Sequence, residues 1–235
     1  MLMTTGTPIP VWGCALAPLL VGLWLVIEGA GHRGRRIARV LLVVAIVAAG
    51  VHEWPYYAPP RLEREPFDRV MIVADSVTAG IGAAGEVTWA VLLAERDGLE
   101  VVDASVAGAT VRTALAEQVP WIDGVGAGLV IVQIGGNDML YGVPPTEFEA
   151  ALDELLDRLS APGRRLVMFE LPAFPFQVGH TRIQRRVAAR HDVVMIPRRY
   201  FLWVIRPGEA TRDGVHLTDA GHRRMLAVVE AVLEP

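Results

Sequence analysis

Arg69–Val70–Met71–Ile72–Val73–Ala74–Asp75–Ser76–Val77–Thr78–Ala79–Gly80 is the stretch that decides how the chain is read. An apolar run, Val70 to Ala74, ends abruptly in two polar side chains. Its length suits a strand covered on both faces. Four further runs follow: Leu99–Glu100–Val101–Val102–Asp103, Leu129–Val130–Ile131–Val132–Gln133–Ile134, Arg165–Leu166–Val167–Met168–Phe169–Glu170–Leu171 and Val193–Val194–Met195–Ile196. Between them lie stretches of helical character at 86–97, 111–118, 145–159 and 181–190. A last one, 218–233, closes the chain, with Thr218 placed to cap it. The pattern is clearest at 145–159, where Phe148, Leu152, Leu155, Leu156 and Leu159 share one stripe. Short buried strands alternating with helices predict an α/β fold: a three-layer α/β/α, doubly wound, parallel five-stranded sheet. Such folds bind ligands beyond the carboxyl ends of their strands.

Polar residues gather at those ends. Ser76 follows the first strand, where its hydroxyl lies at the sheet edge; a serine there can also be a plain helix cap. Ser105–Val106–Ala107–Gly108–Ala109–Thr110 follows the second strand, and Gly108 can let the backbone approach a ligand or merely make a turn. Gly135–Gly136–Asn137–Asp138 follows the third, either as a tight turn or with the Asn137 amide aimed at a developing negative oxygen. Asp213–Gly214–Val215–His216 precedes the last helix. A carboxylate three residues before an imidazole can hold its Nδ1–H and leave Nε2 free as a base. The same pair could be a solvated loop or two metal ligands. No third ligand is near in sequence, and His180, His191 and His222 fall in no metal-binding spacing.

Taken together and in this order, the four blocks resemble those of the SGNH (GDSL-like) hydrolase family, over about Val70 to Val232. The family's Gly-Asp-Ser-x-Thr-x-Gly block is similar to Ala74–Asp75–Ser76–Val77–Thr78–Ala79–Gly80. Its second-block glycine matches Gly108, its Gly-x-Asn-Asp block Gly135–Gly136–Asn137–Asp138, and its Asp-x-x-His block Asp213–Gly214–Val215–His216. The resemblance implies that Ser76 is the nucleophile, His216 the general base and Asp213 its orienting partner. It implies an oxyanion hole made by the Ser76 N–H, the Gly108 N–H and the Asn137 side chain. Two positions depart from the pattern: Ala74 replaces a glycine, and Asp103 stands where many members carry Asn. Neither removes a group the reaction needs.

The chemistry implied is covalent acyl transfer on a small-molecule, glycan or lipid acyl ester, with no metal and no organic cofactor. Transfer to an alcohol instead of water is a close variant of the same mechanism. A catalytically idle envelope-binding module on the same fold is the competing reading, since fold alone does not decide function.

The 235 residues carry 22 basic side chains, every one an arginine, and 26 acidic ones, for a net charge of −4. This balance argues against a nucleic-acid partner. Hydrophobic residues make up 52%, and the excess sits at the front. No charge occurs before Glu28. Residues 9–27 and 37–54 are two apolar stretches, and the connector between them holds Arg33, Arg35 and Arg36. The positive-inside rule makes that connector cytoplasmic. The expectation is a transmembrane hairpin over 1–54, a linker over 55–65 and a hydrolase domain over 66–235 facing the extracytoplasmic side. A signal-peptide core in the second stretch, with Arg35–Arg36 as a twin-arginine pair, is the alternative. Cys14 is the lone cysteine, so no internal disulfide is expected.

Overall fold

A computed structural model describes residues 19–25, 27, 29, 32–57, 62, 67–172, 178–206 and 208–233. The chain divides into two compact units, one within Thr5–Ala58 and one over Pro59–Pro235.

In the first unit, residues 19–25 are helical (α1) and His32–Tyr57 forms the 26-residue helix α2. Among the described residues no helix is long and apolar enough to cross a membrane. The expected span over 37–54 is corrected accordingly. Most of 9–27 lies outside the described residues. The stretch 37–54 falls within α2, where the uncharged run between Arg39 and Glu53 is short. From Val40 to Val51 that run measures about 18 Å as a helix, against a hydrocarbon core of about 30 Å. The expected linker, 55–65, lies mostly outside the described residues.

The second unit is built on five parallel strands: β1 (Arg69–Ala74), β2 (Glu100–Asp103), β3 (Gly128–Gln133), β4 (Arg164–Phe169) and β5 (Val194–Ile196). Their order across the sheet is β2-β1-β3-β4-β5. β1 pairs with β2 on one side (Val70 with Val101) and with β3 on the other (Val70 with Leu129). The chain therefore reverses its direction of winding at β1 and β3, the place where such sheets open a crevice at their carboxyl ends.

Side chains alternate between the two faces. Met71 and Val73, Val130 and Val132, and Leu166 and Met168 pack under α5 (Val111–Glu117), α6 (Val119–Ile122), α8 (Pro145–Leu159) and α9 (Val178–Arg190). Val70, Ile72, Leu129, Ile131, Val167 and Phe169 pack under α4 (Trp89–Ala94), α10 (Arg198–Val204) and α11 (Asp219–Leu233). Covering on both faces is why these strands are continuous apolar runs and not alternating ones. The expected stripe of α8 is buried in full. Two short helices at the sheet edge, α3 (Ser76–Ala79) and α7 (Gly136–Leu140), complete the unit.

Several boundaries shift. α4 begins at Trp89 and not near Glu86, because Thr88 caps it by accepting the Val91 N–H and the Glu86 carboxylate bonds the preceding loop. β4 stops at Phe169, and the next residue, Glu170, leaves the strand for Arg185 and Arg198. α9 starts at Val178, three residues earlier than expected. Thr218 does cap α11, accepting the Gly221 N–H at 3.3 Å.

Candidate active site

The nucleophile's turn is built by Asp75. Its side chain accepts the Val77 N–H at 3.0 Å and so caps α3, whose first residue is Ser76. The same oxygen accepts the Gln133 amide at 3.1 Å, and the Asp75 N–H donates to the Gln133 carbonyl. The Gln133 carbonyl oxygen of the side chain takes the Thr78 hydroxyl, and the Trp89 indole N–H donates to that hydroxyl in turn. Asp75 is 3% exposed. Burial pushes its carboxyl up to about 6, against the pull of the Val77 and Gln133 hydrogen bonds and of His216.

Ala74, the first departure from the family block, has a second support. β2 ends at Asp103, so it cannot satisfy the end of β1. The Gln118 side chain stands in for it: Ala74 N–H donates to Gln118 Oε1 at 2.9 Å, and Gln118 Nε2 donates to the Ala74 carbonyl at 3.0 Å. The Val106 N–H also bonds the Ala74 carbonyl, which ties the second loop to the first. The Ala74 methyl is fully buried in the core beside Val77 and Trp89. Asp103, the second departure, accepts the Ser105 N–H at 2.9 Å and turns the chain toward Gly108.

Ser76, Asp213 and His216 meet although 140 residues separate the first from the last. His216 Nε2 lies 3.1 Å from Ser76 Oγ, and His216 Nδ1 lies 2.6 Å from Asp213 Oδ2. The other carboxylate oxygen of Asp213 accepts the Val215 and His216 N–H groups at 3.0 and 2.9 Å, which fixes the turn that presents the ring. These hydrogen bonds, the one to the ring first, draw the Asp213 carboxyl down to about 2. A hydroxyl, an imidazole and an ionised carboxylate in this sequence can remove a proton from the hydroxyl and stabilise the imidazolium that results.

Gly108, Ser76 and Asn137 follow the adjacent strands β2, β1 and β3. Gly108 has φ +78°, which an L side chain rarely adopts. Asn137 donates one amide hydrogen to the Ala109 carbonyl at 2.9 Å, which pulls the second and third loops together. Gly136 approaches the first loop so closely that a Cβ there would stand 3.3 Å from Asp75 Oδ2. Asp138 is buried, accepts the Val111 N–H at 3.0 Å, and so starts α5; burial pushes its carboxyl up.

The other histidines have separate places. His180 Nε2 lies 3.0 Å from the Val143 carbonyl, His191 pairs with Asp153, and His222 is buried behind α4. Among the described residues no group of three or more His, Cys, Asp or Glu could hold a metal ion. Sequence reasoning missed Gln118, Gln133 and Thr78, the polar residues beneath the nucleophile's turn.

A parallel three-layer sheet with a serine, histidine and carboxylate gathered at its carboxyl edge defines a serine-type hydrolase. The model of the GDSL-like lipase/acylhydrolase family matches residues 75–224, and the chain belongs to that family. It is an ester hydrolase. It is similar to the esterase TesA of Pseudomonas aeruginosa, 27% identical over 178 residues that cover 71% of this chain and 88% of the relative. The Escherichia coli protein named thioesterase 1/protease 1/lysophospholipase L1 is 28% identical over 156 residues, 63% of this chain and 75% of that one. The crystal structure of TesA superposes with a TM-score of 0.62, covering 71% of this chain and 98% of the other.

Proposed function

We propose that the protein hydrolyses acyl esters through a covalent acyl-enzyme on Ser76, with His216 as general base and Asp213 orienting it. The observation that carries this reading is the 3.1 Å approach of His216 Nε2 to Ser76 Oγ, with Asp213 on the far side of the ring. A serine hydroxyl is a weak nucleophile until a base takes its proton. As Oγ attacks the acyl carbon, His216 takes the proton and the carbonyl oxygen becomes an oxyanion. The Ser76 and Gly108 N–H groups and the second amide hydrogen of Asn137 receive it. His216 then gives the proton to the leaving alcohol or thiol, and water repeats the cycle on the acyl-enzyme. No step calls for a metal or an organic cofactor. Substrates are acyl esters of small molecules, glycans or lipids; the names of the relatives, esterase, thioesterase and lysophospholipase among them, support cleavage of acyl esters.

The reading extends to location. Ile37, Val40, Val43, Val44, Ile46, Val47 and Val51 of α2 are each more than half exposed, and an apolar helix bare on so many sides calls for a non-aqueous neighbour. On this reading the exposed apolar surface of α2 holds the protein at a cell membrane.

Labelling with a fluorophosphonate serine probe, with and without Ser76→Ala, tests the chemistry. Labelling that persists in the folded variant refutes the nucleophile, and a panel of acetyl, butyryl and longer acyl esters names the substrate. Cell fractionation of the full chain tests the location; recovery in the soluble fraction alone refutes it.

A further inference from the structure

Two buried titratable side chains behind the nucleophile's turn take no part in the steps above. Glu86 lies in the loop between α3 and α4, and His222 in the first turns of α11. Their side chains are 4% and 0% exposed, and His222 Nε2 lies 3.7 Å from Glu86 Oε1. Neither of these two atoms has a hydrogen-bond partner. On its other side the ring accepts the Trp89 N–H at Nδ1, 3.3 Å away. A neutral imidazole with an accepting Nδ1 carries its proton on Nε2, so that proton points at Glu86. Burial pushes the His222 imidazole down, and this outweighs the opposite pull of Glu86 and Asp219; Arg212 acts in the same direction as burial.

The second oxygen of Glu86 does different work. Oε2 accepts the Ile81 N–H at 2.9 Å and the Ala83 N–H at 3.1 Å, gathering the loop around one carboxylate. It also lies close over Gly80, where an added Cβ would stand 2.7 Å from Oε2. Gly80 ends α3 at φ +73°, and its N–H donates to the Ser76 carbonyl at 3.0 Å. The carboxylate thus lies beside the far end of the four-residue helix that begins with Ser76, and its bonded loop continues directly from Gly80. His216 precedes α11 and His222 lies within it, so the chain segment that presents the base also reaches the loop behind the nucleophile.

We propose that Glu86 and His222 are positioning residues for Ser76: His222 fixes the Glu86 carboxylate, and the carboxylate holds Gly80 and the 81–83 loop so that Ser76 Oγ stays in line with His216 Nε2. The proposal rests on Ser76 being the nucleophile. Its mechanism is orientation. A misplacement of about 1 Å can cost on the order of 10²-fold in rate.

The test uses the full chain, with kcat and KM for p-nitrophenyl butyrate, the rate of fluorophosphonate labelling, and thermal melting. His222→Leu removes both polar contacts, and kcat and labelling rate are expected to fall about tenfold or more with KM within about twofold. His222→Gln can still donate from its amide to Glu86 and is expected to recover most of the rate. Glu86→Gln keeps an acceptor for the loop but sets an amide donor against the His222 proton, so it is expected to be slow as well. Glu230→Gln is the packing control. It loosens the Arg96–Glu230 contact between the segment after α4 and α11, 3.6 Å long, and is expected to leave kcat unchanged. If His222→Leu does not fold, Glu86→Gln and His222→Gln decide the question. A folded His222→Leu or Glu86→Gln protein with wild-type kcat and labelling rate overturns the proposal, as does a His222→Gln protein no faster than His222→Leu. Failure of the wild type to label at Ser76 would instead refute the nucleophile assignment beneath it.

Discussion

Asp75 keeps a carboxyl in the core directly beside the nucleophile, and its charge should weigh against the fold. Burial raises its pKa from an ordinary 3.8 to about 6. A shift of about two units is worth about 3 kcal/mol at ~1.4 kcal/mol per unit. The sign follows from linkage. A group with a raised folded pKa binds its proton more tightly in the folded state, so its contribution to stability is fully present below pH 3.8 and is lost as pH rises through about 6. Asp75→Asn removes the titration while an amide oxygen still accepts from Val77 and Gln133. Relative to wild type, this variant should gain about 2 kcal/mol between pH 4 and pH 8, of roughly 3 kcal/mol in total. Asp75→Ala removes the acceptor too. It should run lower than Asp75→Asn by about 2–6 kcal/mol at every pH, because two buried donors lose their partner at roughly 1–3 kcal/mol each. Urea melts of the three proteins at pH 4, 6 and 8 measure this, and taking differences from wild type cancels the other titrations. An Asn-minus-wild-type difference that is constant from pH 4 to pH 8 would refute the reasoning, since Asp75 would then not be holding a proton in that window.

Gln118→Leu should destabilise the hydrolase unit by about 1–3 kcal/mol, since it leaves the buried Ala74 N–H without a partner while the Ala74 carbonyl keeps the Val106 N–H, as urea melts would show. Asn137→Asp should lower kcat by about 10²–10³ with a smaller change in KM, as it trades an oxyanion donor for a negative charge; near-normal kcat in a folded variant would make Asn137 a turn residue. Esterase activity should show no carboxylate step from Asp213 between pH 4 and pH 8, because its carboxyl sits near 2 and stays ionised over that range. Asp213's contribution to stability is accordingly present above the ordinary carboxylate range and lost only as pH falls through about 2, which a pH series of melts on Asp213→Asn would reveal.

The sheet was legible because burial on both faces writes itself as unbroken apolar runs, as in Val70–Ala74 of β1 and Leu129–Val132 of β3. α8 was legible because its stripe is long enough to show a period. Helices of four to seven residues carry a weaker signal, although α4 and α5 were still expected, at 86–97 and 111–118. α3, α6, α7 and α10 went unread for that reason; in Arg198–Val204 the order Arg-Arg-Tyr-Phe-Leu-Trp-Val favours neither a helix nor a strand. The false start of α4 at Glu86 has a different origin. Glutamate is a good helix former, and local propensity assigned it to the helix, but its carboxylate bonds backward to Ile81 and Ala83, where a loop gains more from it.

The site divides along a similar line. Ser76, Gly108, Asn137, Asp213 and His216 stand out because a reaction needs those chemical types at those strand ends, so their spacing is constrained by chemistry. The residues that support them answer to a weaker demand, that a buried polar group find some partner. Many side chains can meet it, and the partners lie far apart in the chain: Gln118 reaches back 44 residues to Ala74, Gln133 58 residues to Asp75, and His222 133 residues to Trp89. One of them did leave a trace. Gln133 interrupts Leu129–Val130–Ile131–Val132–Gln133–Ile134, a strand otherwise apolar throughout. An amide in a strand buried on both faces must be paired, and at the carboxyl end of β3 its neighbours are the end of β1 and the turn that follows it. That argument places Gln133 beside Asp75 from sequence and topology alone. It also shows where else to look: polar residues that break an apolar run next to a catalytic block are the ones that hold the block in place.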